Sequence, residues 1–227
     1  MRRLLPTLML VALAACAVTE RAPEKTVRES GFLHDYSDLR PGGKDQASLI
    51  YINPNAKWSQ YTGILLEPVT FWADPNANVD PKVQQELISY YYNVLKQDLS
   101  TQLPIVDLPG PGVIRFQAAL TDASSATPVL RSVSVVVPQA RLLGVVKNYA
   151  TGSYAFVGSA QSETLVTDSV TGERLAASVD RRTGGLSLKN AAVWQWGDTE
   201  NAMSYWAQKA SQRLGELRSG VAQTSSR

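Results

Sequence analysis

The sequence predicts an α+β fold: a two-layer α/β sandwich, with an antiparallel sheet and two helices packed on one of its faces. Three observations predict it. A long hairpin, Tyr154–Arg182, alternates apolar or small residues with polar ones on either side of a turn, Asp168-Ser169-Val170-Thr171-Gly172-Glu173. Two other segments, beginning at Asp80 and Asp198, carry apolar stripes at helical spacing. Val113–Thr121 sets Ile114, Phe116, Ala118 and Leu120 against Arg115 and Gln117, as a half-buried strand does.

The chain opens with Arg2 and Arg3, an apolar run Leu4–Leu13 broken once at Pro6, and Leu13-Ala14-Ala15-Cys16. A basic front, a short apolar run and a small-residue cleavage site make a secretory signal, residues 1–15. The run is shorter than the roughly 20 residues a membrane span needs. Leu13–Cys16 resembles the lipobox of bacterial lipoproteins. That resemblance implies a diacylglycerol on the Cys16 sulfur, cleavage before it and acylation of the freed amine. Two or more acyl chains anchor a protein stably. Ala17, where an aspartate would imply inner-membrane retention, implies the periplasmic face of the outer membrane. The alternative is an ordinary secreted protein cut after Ala15.

The full sequence has 22 Lys+Arg and 20 Asp+Glu. Loss of Arg2 and Arg3 with the signal leaves 20 of each, so the mature chain is formally neutral. Such a balance lacks the basic footprint of nucleic-acid binding and of a polybasic lipid-binding patch. Cys16 is the only cysteine, so acylation leaves no thiol for a disulfide, a metal or a nucleophile. No cofactor is expected.

Residues 16–30 read as the lipidated cysteine and a polar, flexible tether, followed by one domain over 31–218 and a disordered tail over 219–227. Ser30–Leu39 reads as a strap docked through Phe32, Leu33, Tyr36 and Leu39, with a binding loop of His34, Asp35 and Asp38 as the alternative. Leu49–Ile52 and Tyr61–Val69 read as strands, with Pro68 at an end or edge, and Ala73–Val79 as a loop. Asp80 and Pro81 open a helix as N-cap and first residue, with Val83, Leu87, Tyr90, Tyr91, Val94, Leu95 and Leu99 on its stripe. Tyr90-Tyr91-Tyr92 point three ways, so at most two face a core. Val129–Val137 reads as a strand and Gln139–Lys147 as a short helix. In the hairpin, setting Asp168 opposite Glu173 pairs Thr167 with Arg174, Val166 with Leu175, Thr164 with Ala177 and Ser162 with Val179. Glu163, Gln161 and Asp180 then share a polar, solvated face, and the small residues of the other face admit a close helix. Asp198 caps the last helix, whose stripe is Met203, Trp206, Ala210, Leu214 and Leu217.

Ser30-Gly31-Phe32-Leu33, Phe156-Val157-Gly158, the turn at Asp168–Glu173 with Ala176-Ala177 and Asp180-Arg181-Arg182, and Trp196-Gly197-Asp198 with Trp206-Ala207 resemble an uncharacterised bacterial lipoprotein family, domain of unknown function 3313. The resemblance runs from Ser30 to about Leu217. It implies a periplasm-facing α/β sandwich and no activity.

The chemistry points away from an enzyme. His34 is the sole histidine, no Gly-x-Ser-x-Gly elbow occurs, and no phosphate loop occurs. Asp180, Arg181 and Arg182, beside Gly184-Gly185, form a candidate surface for gripping a carboxylate. The expectation is a membrane-anchored, non-catalytic envelope lipoprotein that serves as structural or accessory partner of another envelope protein. The alternatives are a ligand- or glycan-binding module, which a concave aromatic pocket would favour, and a carboxylate-dependent hydrolase.

Overall fold

The computed structural model describes residues 19–72, 79–124, 159–184 and 196–220. The eight strands are β1 (Thr19–Arg21), β2 (Arg40–Pro41), β3 (Leu49–Ile52), β4 (Gly63–Leu66), β5 (Thr70–Phe71), β6 (Val113–Ser124), β7 (Ser159–Asp168) and β8 (Arg174–Gly184). The α-helices are α1 (Pro81–Leu99) and α2 (Gly197–Ser219). The strands make one sheet in the order β2-β3-β8-β7-β6-β4. β1 continues the edge of β8 beyond β3, and β5 continues the edge of β6 beyond β4. The expected sheet was antiparallel, and this one is mixed, because β4 and β5 run parallel to β6. The connection explains it: α1 lies between β5 and β6 in the chain, and a helical crossover returns the chain to lay down a parallel neighbour.

α1 begins as its sequence predicts. Asp80 Oδ1 accepts the Lys82 N–H at 2.8 Å and Pro81 takes the first position. Its buried stripe is Leu87, Tyr91, Leu95 and Leu99; Tyr90 and Tyr92 only flank the core. α2 starts one residue before Asp198. Its first turn closes when the Glu200 N–H bonds to the Trp196 carbonyl at 3.0 Å, so Trp196 occupies the cap position without a side-chain cap. Gly220, at φ 78°, ends α2 in the left-handed conformation that suits glycine. Tyr90 meets Ser204, Thr101 meets Ser211, and Arg218 reaches the Gln102 carbonyl, so the helices run side by side in the same direction. Both pack on one face of the sheet, over Ile64, Ile114, Phe116, Leu120 and Val166.

The hairpin turn forms as expected, with the Asp168 N–H bonded to the Glu173 carbonyl at 2.9 Å and Thr167 opposite Arg174. The register then slips. Val166 pairs with Ala176, Thr164 with Ser178 and Ser162 with Asp180, not with Leu175, Ala177 and Val179. Leu175 is the extra residue of a bulge and is buried in the helix-side core. One residue of slip turns every following side chain to the opposite face. Ser178 and Asp180 therefore lie beneath α2. Ala177 and Val179 face the other way, where Leu33 and Leu39 complete a second small core.

That second face is not solvated. The strap crosses it as expected; Arg174 bonds its Leu33 and Asp35 carbonyls, and beneath it lie Gln161 and Glu163, 1 % and 0 % exposed. The Glu163 carboxylate accepts the Ser30 N–H at 3.0 Å and the Tyr36 hydroxyl at 2.6 Å. Gln161 accepts the Arg28 N–H at 3.1 Å and donates to the Arg28 carbonyl at 2.6 Å. The flexible tether expected over 16–30 is thus docked from Thr19 onward. β1 supplies backbone bonds along β8, and Gln161, Glu163 and Arg182 add side-chain bonds. Signal, Cys16, Val129–Val137, Gln139–Lys147 and the tail beyond Gly220 lie outside the described residues, as does most of the Ala73–Val79 loop.

Candidate ligand-binding site

The three residues singled out in the sequence do not form one surface. Arg181 points to the strap face, where it pairs with Asp122 and donates to Ser159 Oγ at 3.2 Å. Asp180 and Arg182 lie on the α2 face, 4 % and 6 % exposed. Alternation along β8 separates them, and the bulge at Leu175 decides which goes inward. The Asp180 carboxylate accepts the Ser48 N–H and hydroxyl, both at 2.9 Å, and the Trp206 indole N–H at 2.8 Å. Arg182 donates to the Thr19 hydroxyl at 2.7 Å and carbonyl at 2.8 Å, stands 3.5 Å from Asp180, and lies 3.6 Å over the Tyr205 ring. This buried pair ties β1, β3 and α2 to β8. Its hydrogen-bonding atoms are committed to protein partners.

A cavity of about 650 Å³ opens beside that pair, between α2 and the sheet. Such a volume suits a small organic ligand, since ligand sites run roughly 300–1,000 Å³. Its floor is short side chains: Ser162 and Thr164 of β7, with Ala176 and Ser178 of β8. Sequence reasoning counted Ser162 and Thr164 among small residues that admit a close helix, and put Ser178 on the opposite face. Instead Tyr91, Trp206, Leu99 and Leu214 stand around them, and the space over the floor stays open. Tyr91 and Trp206 pack with ring centroids 5.8 Å apart, and the Tyr91 hydroxyl meets Ser162 Oγ at 3.0 Å. Burial, above all, pushes the Tyr91 phenol far above its ordinary range, so it stays neutral.

The outer lining is charged. Lys44 and Asp45 in the β2–β3 loop and Gln212 on α2 are exposed, which places the mouth between that loop and α2. Lys209, Arg213 and Glu216 stand half-buried just inside. Arg213 Nη1 lies 3.0 Å from Glu216, and that bond, first among its causes, holds the Glu216 carboxyl below its ordinary range. Arg213 Nε and Trp58 Nε1, on two of the lining residues, are themselves buried and find no acceptor among the described residues. The signal that would have marked this site is Ser162-x-Thr164 and Ala176-x-Ser178-x-Asp180 opposite a basic helix face, and it becomes legible only once the bulge is known.

His34 is exposed in the strap, where Asp35 Oδ1 accepts the Ser37 N–H at 2.9 Å. Among the described residues no three His, Cys, Asp or Glu side chains are grouped to hold a metal. Nor is any described helix long and apolar enough to cross a membrane.

The mixed sheet covered on one face by two helices defines an α+β sandwich, with a ligand-sized cavity between the layers. Residues 28–210 match the family model described as protein of unknown function DUF3313, and the chain belongs to that family. No curated protein matches the sequence. Among solved structures it is distantly similar to the PelC dodecamer from Paraburkholderia phytofirmans, at TM-score 0.40 and 8 % identity over 70 % of this chain and 96 % of that one. It is similar at the same level to a DUF330 protein from Xanthomonas campestris, at TM-score 0.38 and 10 % identity over 78 % of this chain and 95 % of the other.

Proposed function

We propose that this chain is a lipid-anchored bacterial envelope protein, attached through Cys16 to the periplasmic face of the outer membrane, whose domain is a non-catalytic binding module. The observation that carries the binding reading is the cavity under α2, with its aromatic walls, short-chain floor and charged mouth. The anchor reading rests on Leu13–Cys16. A protein partner, the first expectation from the sequence, is left as an alternative use of the same domain.

Two measurements test this. Radiolabelled palmitate should be incorporated into the wild type and not into Cys16→Ala, which should leave the membrane fraction; membrane retention of an unlabelled Cys16→Ala protein refutes the anchor. For the cavity, Ser178→Leu fills the floor with an apolar side chain. Native mass spectrometry should show a co-purified small molecule on the wild type and none on Ser178→Leu. Ser178→Leu should unfold at an equal or higher temperature, as cavity filling commonly adds about 0.5–2 kcal/mol. A wild type that carries nothing when isolated from its own envelope refutes the binding reading.

A further inference from the structure

Resting on that binding reading, we infer that the cavity takes a single-chain anionic amphiphile from the membrane leaflet, with its acyl tail between α2 and the sheet and its head at the Lys44–Lys209–Arg213 rim.

The interior selects the tail. Ile50 and Ile52 of β3 and Ala176 of β8, with Tyr205 and Ala210 of α2, are the partly exposed apolar lining, backed by the packed core at Ile64, Ile114 and Leu214, and of these only Tyr205 carries a polar atom. The hydroxyls at the floor are partly self-satisfied, as Ser162 pairs with Tyr91. A sugar buried there would leave its own hydroxyls unpaired, at a cost of about 1–3 kcal/mol each, whereas an acyl chain gains about 0.8 kcal/mol per buried methylene.

The rim selects the head. Three cations, Lys44, Lys209 and Arg213, stand with two carboxylates, Asp45 and Glu216, in the outer lining. Glu216 pairs with Arg213 Nη1, which leaves the cations in excess at the rim. Lys and Arg side chains only donate, and an anionic oxygen of a carboxylate or phosphate makes the stronger, charge-assisted bond with them.

The anchor selects the source. Arg21 Nη1 donates to the Gly42 carbonyl at 3.1 Å and the Gly43 carbonyl at 2.8 Å, so β1 grips the loop that forms the mouth. Arg21 follows Cys16 by five residues, which span no more than about 18 Å even fully extended. An acylated Cys16 therefore holds the mouth close to the bilayer surface.

The test uses the full chain with Cys16→Ala, which has no acyl group of its own, in detergent-free buffer. The probes are bromine-labelled palmitate, lysophosphatidylglycerol and cetyl alcohol, whose bromines quench nearby tryptophans, and unlabelled N-acetylglucosamine oligomers as competitor. Palmitate or lysophosphatidylglycerol should quench the fluorescence, and Trp58→Phe should reduce the quench. The sugars should not relieve it. Arg213→Gln should weaken binding of the anions about tenfold, the worth of one charge-assisted hydrogen bond, and leave the alcohol unchanged; Lys209→Gln should act in the same direction. Ser178→Leu should bind none of the lipids. Preference for palmitate over lysophosphatidylglycerol would name a fatty acid, and the reverse a phosphate headgroup. Equal binding of acid and alcohol, unmoved by Arg213→Gln and Lys209→Gln, overturns the head assignment, and relief by the sugars overturns the tail. If no lipid quenches while the wild type still retains a Ser178-dependent adduct, the amphiphile is wrong and the binding reading stands. If neither is seen, both fall.

Discussion

The Trp206 indole N–H donates to the Asp180 carboxylate at 2.8 Å, a single bond that joins α2 to the central strand β8 at the side of the cavity. Asp180 also sits 3.5 Å from Arg182, and both are buried. Removing one partner of a buried pair strands the other charge, at about 3–5 kcal/mol. Asp180→Ala should therefore lower stability by that amount in urea unfolding. Trp206→Phe, which removes one donor and keeps an aromatic wall, should cost much less. A cost below about 1 kcal/mol for Asp180→Ala would show that water already reaches the pair.

Glu163 should hold the strap. Its carboxylate takes the Tyr36 hydroxyl and the Ser30 N–H in a site with no exposure. Burial first, and the bond to Glu163 second, push the Tyr36 phenol above its ordinary range. Glu163→Ala leaves two donors unpaired and should cost about 2–4 kcal/mol. Amide exchange at Phe32 and Leu33 should speed up while the α1 amides stay protected. Equal acceleration in both places would mean that the strap and the helices open as one unit.

The hairpin turn should be acid-sensitive. Asp168 Oδ1 accepts the Val170 and Thr171 N–H groups, each at 2.9 Å, and Oδ2 accepts the Tyr61 hydroxyl at 3.1 Å. The Thr171 N–H is the largest of the effects that hold the carboxyl below the 3.8 of a free aspartate. The folded state therefore binds fewer protons than the unfolded one. The stabilisation is fully present above about 3.8 and is lost as pH falls through the lower folded value. Asp168→Asn should flatten that part of the stability–pH curve. An unchanged acid limb in the variant would assign it to other carboxyls.

Gly42 and Gly43 offer a matched pair at the cavity mouth. A Cβ on Gly42 would lie 1.9 Å from the Ala47 carbonyl oxygen, a backbone atom that must move. On Gly43 the nearest atom is Gln46 Oε1 at 3.6 Å, ordinary contact. Gly42→Ala should lower the melting temperature and weaken ligand retention, while Gly43→Ala should leave both near wild type. Equal behaviour would mean that the loop adapts freely and does not shape the mouth.

Much of the fold is written locally. Asp80-Pro81 marks the start of α1 because a cap and a fixed φ act within one turn. The α2 stripe Met203, Trp206, Leu214 and Leu217 is buried as its spacing requires. The turn at Asp168–Glu173 closes through contacts a few residues apart. The candidate site was less legible. Asp180, Arg181 and Arg182 were marked as chemically unusual, yet Asp180 and Arg182 prove to be an internal tie and Arg181 belongs to the opposite face.

By itself the sequence determined the two helices, the strand over Val113–Thr121, where the hairpin turns, and that Cys16 is the only thiol. Those properties follow from periodicity, capping and composition, which act over a few residues. The tertiary structure alone decided the register, the faces and the cavity. Strand alternation has a period of two but no absolute phase, and the single extra residue at Leu175 reverses it. Glu163 is buried only because residues 28–36, far off in the chain, close over it. The cavity exists because Ser178 and Asp180 turn toward α2 while Tyr91, Leu99, Trp206 and Leu214 surround the short side chains at its floor.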